Sequence, residues 1–351
     1  MNSDFFAAIE DIEREKGISR VYMYDKIKQA MLAAFKKDNP EAAENVVVIL
    51  DDEKKKTDMY IRMTVVENIE NPAVELTAET AKKYSKKADI GDVVNVPVET
   101  KEFGRIAAQA AKQVIIQGIR EAERGLIYDE FTSKEHEILT GVVSRVEPRT
   151  GGVSIKISSN SEFTEAMLSP GERIKTETFK EGDRIKVYVV EVKKSSRGPQ
   201  VIISRTHPGL VKRLFELEVP EIYDGTVEIK SIAREAGNRT KIAVWSNNED
   251  VDPIGACVGP KGGRVAGIVA ELGGEKIDII KYSEYPQEYV AAALSPAEVL
   301  NVFLLEDEKS YRVIVPDNQL SLAIGKEGQN ARLAAKLTGC KIDIKPESEA
   351  G

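Results

Sequence analysis

Apolar residues in the first 127 positions recur at helical or strand spacing, and charged turns separate the segments. Helical periodicity runs from Asp4 to Lys37, with an interruption predicted at Gly17 and a new N-cap at Ser19. The segments that follow predict strands at 45–50, 59–66 and 92–98, a short helix at 77–87 and a long helix at 104–124. Residues 1–127 are therefore predicted to form an N-terminal α/β domain with a connecting helix.

Residues 135–204 show a different pattern, in which short β-rich runs alternate with turn residues. The runs lie at 142–143, 153–157, 185–192 and 201–203, and Gly, Ser, Pro and Asp recur between them. About five strands in a segment of this length indicate a small barrel. We expect an OB-type β-barrel.

The rest of the chain contains an internal repeat. Residues 258–262 (VGPKG) align with 324–328 (IGKEG) at an offset of 66, and 276–279 align with 341–344 at an offset of 65. Each unit is predicted as a helix, a tight Gly-x-x-Gly turn, a second helix and a strand, with Asp252 and Asp317 as caps of the two first helices. We expect a multidomain α+β protein that ends in two tandem KH domains of type II, at 205–284 and 285–346, with a tail at 347–351.

The Gly-x-x-Gly turns are candidate phosphate-binding sites. Glycines lack Cβ atoms and let a sugar-phosphate backbone approach closely, and the following helix offers free N–H groups and its positive dipole end. In KH modules the neighbouring elements bind about four nucleotides. The candidate RNA-binding residues are Gly259, Pro260, Lys261, Gly262, Gly263 and Arg264, and in the second unit Gly325, Lys326, Glu327, Gly328, Gln329, Asn330 and Arg332. The alternative, that these glycines only close tight turns, does not explain why the whole unit is repeated.

Glu327 distinguishes the second turn from the first. A carboxylate repels phosphate, so it either faces away from RNA or makes the second turn the weaker site.

The barrel supplies a second set of candidates. Its basic residues are Lys156, Arg173, Arg184 and Arg205, for which scattered solvated charge is an equally good explanation. The aromatic residues available for base stacking are Phe163, Phe179 and Tyr188. So sparse a stacking surface predicts that the barrel assists RNA binding rather than binding tightly alone.

The charge balance limits how RNA can be bound. The net charge is −8, and only residues 135–205 are net basic, with 12 Lys and Arg against 10 Asp and Glu. Residues 1–127 hold 20 against 23, and residues 206–346 hold 17 against 21. Binding must therefore come from local patches and backbone amides.

Other functional classes find little support in the sequence. No apolar run reaches the ~20 residues of a membrane span, the first ten residues lack a basic signal region, and Cys257 and Cys340 make no disulfide scaffold. We therefore expect a cytoplasmic protein without membrane contact. His136 and His207 lie in no nucleophile motif, and phosphate-loop and zinc-site spacings are missing. A non-enzymatic protein without metal or cofactor is predicted.

Several stretches resemble the NusA family of bacterial transcription elongation and termination factors. They are FGRIAAQ at 103–109, LFELEVPEI at 214–222, DPIGACVGPKGGRV at 252–265, residues 272–280, and LAIGKEGQNARLAAKL at 322–337. The resemblance covers essentially the whole chain and implies the order polymerase-binding domain, S1-type barrel, KH and KH. Some members carry acidic repeats after the second KH domain, and the sequence shows no such repeats after residue 346. We therefore do not expect autoinhibition or contact with the polymerase alpha-subunit tail through such repeats.

The resemblance implies a function beyond RNA binding. Members dock on RNA polymerase core near the RNA exit channel, act on nascent single-stranded RNA, and modulate pausing, intrinsic termination and, with other Nus factors, antitermination. The candidate contacts to polymerase or exiting RNA are Lys36, Lys37, Arg105 and Lys112, for which plain solvated charge is the alternative. We expect a monomer in which residues 1–125 bind polymerase and 135–346 bind RNA. The alternative function is a ribosome-associated or translational RNA-binding protein.

Overall fold

A computed structural model describes residues 3–98, 100–160, 162–195, 198–305 and 309–349. The chain divides into two compact units, residues 1–126 and residues 127–351. Among the helices of these described ranges, none has both the length and the apolar character needed to cross a membrane.

The first unit opens with two helices, α1 (Ser3–Lys16) and α2 (Arg20–Asp38). Gly17 separates them with a φ of +68°, a left-handed conformation that glycine adopts at little cost. Ser19 is the N-cap residue of α2, as predicted, although its side chain makes no capping hydrogen bond. The buried faces of both helices enter one apolar cluster, whose members include Phe6, Ile9, Ile27, Met31 and Phe35.

A four-stranded sheet packs against these helices. It contains β1 (Val46–Asp51), β2 (Lys56–Val66), β3 (Glu75–Thr77) and β4 (Val93–Pro97). β2 is central, since it pairs antiparallel with β1 and β4 and parallel with β3.

The helix predicted at 77–87 is only α3 (Ala78–Ala81), capped by the Thr77 side chain. The predicted helix was too long. Its second half contains lysine pairs four residues apart, Lys82 with Lys86 and Lys83 with Lys87, and such like charges destabilise a helix.

The connecting helix α4 (Thr100–Thr132) is longer than the predicted 104–124 at both ends. Ile115, Ile119 and Ala122 pack against the core of the first unit.

The second unit begins with a five-stranded barrel. Its strands are β5 (Ile138–Val146), β6 (Val153–Ser159), β7 (Glu162–Leu168), β8 (Arg184–Lys193) and β9 (Gln200–Ser204), paired antiparallel in the order β7-β6-β5-β8-β9. β7 also lies beside β9, so the sheet is nearly closed into a barrel. This strand order is that of an OB barrel, and its interior is filled by side chains such as Val153, Ile155, Leu168 and, from the end of α4, Phe131.

Two KH domains follow the barrel. The first contains α5 (Pro208–Glu218), α6 (Pro220–Tyr223), β10 (Val227–Glu235), β11 (Arg239–Ser246), α7 (Pro253–Val258), α8 (Gly263–Glu271) and β12 (Lys276–Lys281). The second contains α9 (Pro286–Ala293), β13 (Asn301–Leu304), β14 (Ser310–Val315), α10 (Leu320–Ile324), α11 (Gln329–Thr338) and β15 (Lys341–Pro346). In each sheet the first pair is antiparallel and the second pair is parallel. The predicted fold class is confirmed.

The two predicted helix caps have different outcomes. Asp252 caps α7, because its carboxylate accepts from the N–H groups of Ile254 at 3.1 Å and Gly255 at 3.0 Å. Asp317 does not cap α10, which starts three residues later, after a short 3₁₀ turn. The Asp317 carboxylate instead accepts a 3.0 Å hydrogen bond from the N–H of Ser348.

The sheet of the first KH domain packs directly against the second KH domain. Ala233 and Ala243 on its outer face share one apolar cluster with Tyr289, Leu333 and Leu337. The two Gly-x-x-Gly turns are therefore carried by domains with a common core.

Candidate nucleic-acid interface

The two Gly-x-x-Gly turns have the same backbone conformation. φ and ψ are 72° and 175° at Gly259, against 76° and 169° at Gly325. At the second glycine they are 75° and 13° in Gly262, against 74° and 15° in Gly328. The sequence repeat is thus a structural repeat down to single torsion angles.

The residue before the second glycine is strained in both turns. Lys261 and Glu327 have φ values of 53° and 54°, a region that residues with a Cβ atom rarely occupy. Such strain costs on the order of 1–3 kcal/mol and is concentrated at functional sites. Both residues are exposed, so the same projecting position carries a cation in the first turn and an anion in the second.

The first glycine of each turn is needed for packing. A Cβ atom at Gly259 would lie 2.5 Å from Cγ of Arg264, and one at Gly325 would lie 2.7 Å from the backbone nitrogen of Asn330. Since any larger residue would collide there, these two glycines are explained by the fold itself.

Arg264 and Asn330 occupy the same position of the repeat and anchor the helices behind the turns. Nη1 of Arg264 donates to the Glu221 carboxylate at 2.9 Å. Nδ2 of Asn330 donates to the carbonyl oxygens of Leu294 at 2.9 Å and Ala323 at 3.0 Å. The expectation that the Asn330 side chain binds RNA is wrong, because this side chain is buried and its amide donors already have partners.

The second glycine of each turn faces open space. Among the described residues, none lies within 4 Å of a Cβ atom added at Gly262, and at Gly328 the nearest atom is Nη1 of Arg332 at 4.0 Å. α8 and α11 begin directly after these glycines, which have no side chain to cap the first N–H groups. An anion can therefore approach both helix N-termini closely.

The basic residue beside the second turn is already paired. Arg332 donates through Nε to Glu235 of the first KH domain at 2.6 Å and through Nη1 to the backbone oxygen of Glu327 at 3.1 Å. Gln329 donates to the same Glu235 carboxylate at 2.8 Å. The hydrogen bond from Arg332 lowers the pKa of Glu235, so this neutralising carboxylate is ionised near pH 7.

On the barrel, two of the predicted basic residues share a face. Lys156 on β6 and Arg184 on β8 are both direct partners of Val142 on β5, and all three side chains are exposed. Nζ of Lys156 lies 5.0 Å from the ring centre of Phe163, whose ring is 57% exposed. A cation and an aromatic face are therefore accessible together on β6 and β7.

Arg205 does not belong to that face, so this expectation is wrong. The residue is 2% exposed, and its guanidinium binds the carboxylates of Glu177 and Glu271 between the barrel and the first KH domain. Burial alone lowers the pKa of Arg205, but the two carboxylates outweigh it and raise the pKa, so the side chain remains charged and fixes the junction.

The other barrel candidates are less accessible than Phe163. Tyr188 is buried, with its ring stacked on His207 at 4.7 Å. The guanidinium carbon of Arg173 lies 5.4 Å from the ring centre of Phe179, which packs against the barrel core. Of the three aromatic residues considered for stacking, Phe163 is thus the exposed one.

Comparisons with known proteins match the whole chain. Family models described as the NusA N-terminal domain, the NusA-like first KH domain and the NusA-like second KH domain match residues 4–125, 205–282 and 286–351. Two proteins named transcription termination/antitermination protein NusA are each 53% identical to this chain. For the protein from Halalkalibacterium halodurans the match covers 100% of this chain and 90% of that protein, and for the protein from Bacillus subtilis it covers 100% and 92%. The homologue from Thermus thermophilus is 42% identical (97% and 89%).

The chain belongs to the NusA family. The resemblance to this family, which rests on five stretches of the sequence, is thereby confirmed.

In the NusA-type N-terminal domain, the predicted polymerase or RNA contacts lie on helices. Lys36 and Lys37 are exposed in the last turn of α2, and Lys112 is exposed on α4. The side chain of Arg105 lies outside the described residues.

The histidines and cysteines of this NusA-family chain have structural surroundings. His136 and His207 both contact Tyr188, with 3.2 Å between Nδ1 of His136 and the tyrosine oxygen. Burial raises the pKa of the Cys257 thiol to about 12, which leaves it unreactive at neutral pH. In the described part of the chain, no group of His, Cys, Asp and Glu residues is arranged to hold a metal ion.

Proposed function

We propose that the chain is an RNA-binding transcription factor that docks on RNA polymerase core near the RNA exit channel and modulates pausing, intrinsic termination and antitermination. The observation that carries this proposal is the pair of Gly-x-x-Gly turns, each strained, open and placed at a helix N-terminus. The names of the 42–53% identical relatives support the link to transcription.

In this proposal the nascent single strand passes over the turns. Phosphates lie against Gly262 and the N-terminus of α8, with Lys261 adding charge, and more weakly against Gly328 and the N-terminus of α11. The remaining candidate residues of the two loops surround these phosphate positions: Gly259, Pro260, Gly263 and Arg264 in the first domain, and Gly325, Lys326, Glu327, Gln329 and Arg332 in the second.

The barrel is proposed to assist. Lys156 and Arg184 contact phosphates, and a base stacks on Phe163, because these three side chains are exposed on connected strands. One aromatic platform supplies only a small part of the affinity.

The N-terminal domain, residues 1–127, is proposed to hold the polymerase. Lys36, Lys37, Arg105 and Lys112 are then candidates for contact with polymerase or exiting RNA. Other Nus factors join the complex during antitermination. We further propose that the chain acts as a monomer in the cytoplasm, without enzymatic activity, metal or cofactor, and that its remaining domains span 135–204, 205–284 and 285–346.

A paused elongation complex tests the proposal. 4-Thiouridine placed in the nascent RNA is expected to crosslink to residues 259–264 when the full chain is added, and the pause lifetime is expected to change. A tagged chain is expected to retain polymerase through residues 1–125. Nuclease-resistant co-purification with ribosomes and not with polymerase would instead establish the translational alternative.

A further inference from the structure

The outer face of the first KH sheet is a docking surface for helix ends. Nζ of Lys241 donates to the carbonyl oxygen of Ser295, just beyond the end of α9, at 2.6 Å. The Ser231 hydroxyl donates to the carbonyl oxygen of Leu337, in the last turn of α11, at 2.8 Å. The last carbonyls of a helix have no partner within it, so donors on a neighbouring surface satisfy them.

A carboxylate on the same face orients the lysine. Asp278 is the direct partner of Lys241 across the parallel pair β11–β12, with 2.9 Å between Nζ and Oδ2. Lys241 is fully buried by the docked domain, and Ala233, its partner on β10, is only 3% exposed.

The second KH sheet carries the same arrangement at the same register. Arg312 takes the place of Lys241, because it pairs with Asp343 on β15 as Lys241 pairs with Asp278. Nε of Arg312 lies 3.1 Å from Oδ2 of Asp343. A donor and its orienting carboxylate are therefore present in both copies of the sheet.

The equivalence extends to the neighbouring strand. Phe303 is the partner of Arg312, as Ala233 is the partner of Lys241. Asn301 is the partner of Ile314, two residues beyond Arg312, as Ser231 is the partner of Ala243, two residues beyond Lys241. Asn301, like Ser231, has a side-chain donor for a free carbonyl.

The two faces differ in what covers them. The arginine and aspartate side chains of the second copy are 48% and 42% exposed, against 0% and 18% for the lysine and aspartate of the first. Phe303 is 52% exposed, although a large aromatic side chain is usually buried or held in an interface. Within the described residues, the second face thus keeps the polar groups of a docking surface without the docked helices.

We propose that the outer face of the second KH sheet, formed by Asn301, Phe303, Arg312 and Asp343, binds the C-terminal end of an α-helix on the surface of RNA polymerase. Arg312 and Asn301 donate to the unpaired carbonyls of that helix end, and Phe303 packs on its apolar side. The occupant's chemistry follows from the first copy of the face, where Lys241 donates to a carbonyl just beyond the end of α9 and Ser231 donates to a carbonyl in the last turn of α11. The α9 and α11 ends of a second copy are not available to this face, because its own first KH domain already covers them.

This assignment rests on the proposed function, since it places the helix on the polymerase. The experiment uses the full chain bound to a paused elongation complex containing polymerase and nascent RNA. Phe303 is replaced by the photocrosslinking residue p-benzoylphenylalanine. Leu304 is the matched control position, because it lies on the same strand, is also 52% exposed, and points to the opposite side of the strand.

Crosslinking from position 303, but not 304, to a polymerase peptide at the end of a helix supports the proposal. The crosslink is expected to survive Arg312→Lys, which restores the residue of the first copy, and to be lost in Arg312→Glu, which repels carbonyl oxygens. Retention in Arg312→Glu would contradict the role of that donor. A crosslink to RNA, or equal yields at both positions, would overturn the assignment.

The same samples separate this inference from the function on which it rests. 4-Thiouridine crosslinks to residues 259–264 and retention of polymerase report the proposed function independently. If both persist while position 303 stays silent, the docking face is wrong and the function stands. If both are absent, the proposed function itself has failed.

Discussion

Arg332 donates a 2.6 Å hydrogen bond to Glu235, and this bond holds the cation beside the second Gly-x-x-Gly turn against the first KH domain. Arg332 also donates to the backbone oxygen of Glu327, so one side chain joins the strained turn to the neighbouring domain. The positive charge of Arg332, which the sequence predicts to contact RNA, is therefore balanced by the carboxylate of a residue 97 positions away.

Glu235→Gln is expected to strengthen RNA binding. Removing the carboxylate's charge leaves that of Arg332 unbalanced and available to a phosphate. Because Arg332 is 47% exposed, the gain is modest, about two- to fivefold in affinity. RNA titrations over a salt series should show a slope steeper by about one ion. Glu228→Gln is the control, since Glu228 lies on the same strand and pairs with Lys230. Unchanged affinity and slope would show that Arg332 does not reach RNA.

Gly262→Asp is expected to weaken RNA binding while leaving the fold intact. The side chain enters open space and the positive φ strains Asp and Asn alike, so the loss of affinity specific to Asp is electrostatic, at about 1–3 kcal/mol or 5- to 150-fold. Gly262→Asn is the matched control, because asparagine has similar size, tolerates a positive φ and has no charge. The same change at Gly328 should have a smaller effect, because Glu327 is already beside it. Equal RNA affinities of stably folded Asp and Asn variants at position 262 would show that no phosphate binds at this site.

Gly325→Ala is expected to lower the free energy of unfolding more than Gly328→Ala. Both glycines have a φ near 75°, but only the Cβ atom at 325 collides with backbone, at 2.7 Å from the nitrogen of Asn330. A loss of about 2–4 kcal/mol is expected at 325, against about 1 kcal/mol at 328. Urea unfolding of the two variants measures the difference. Equal losses would mean that strained torsion, and not close packing, selects the first glycine.

Asp278 is expected to make stability sensitive to acid. Burial alone raises the pKa of Asp278, but hydrogen bonds from Arg239 and Lys241 and their charges outweigh it and lower the pKa below its ordinary 3.8. Because the folded pKa is the lower one, the stabilisation is complete above the unfolded value and disappears as pH falls through the folded value. Below pH 4 the free energy of unfolding should therefore fall more steeply in the wild type than in Asp278→Asn.

The Asp278→Asn variant itself should lose about 3–5 kcal/mol at neutral pH, since the buried Lys241 then lacks its counter-ion. Asp343→Asn is the control at the equivalent, half-exposed position, where about 0–1 kcal/mol is expected. Parallel pH profiles of the wild type and Asp278→Asn would exclude the carboxylate as the source of the acid sensitivity.

Much of the fold could be predicted from local patterns. Gly17 marked the break between two helices, and Gly259 and Gly325 marked the turns, because a positive φ is visible in the sequence as glycine. The repeat then predicted two similar domains without knowledge of their contacts. β3 was missed because three residues in parallel pairing leave no periodic signal.

The residues of the candidate site could be predicted only where the partners of their side chains lie nearby in the sequence. Arg205 was misplaced because its carboxylate partners lie 28 and 66 residues away along the chain. Asn330 was misplaced for the same reason, since one of its acceptors is the distant carbonyl of Leu294. Burial by another domain is a property of the assembled fold, and no periodicity within one segment encodes it.

The common core of the two KH domains fixes the distance between the two Gly-x-x-Gly turns. These two turns cannot be drawn together or apart without breaking the apolar cluster that joins them. For an RNA strand lying over both turns, the number of nucleotides between the two held phosphates is set by the protein. Under the proposed function, we expect transcripts to bind where an unpaired stretch of that span is available, and a growing hairpin to compete with the protein by shortening the free strand.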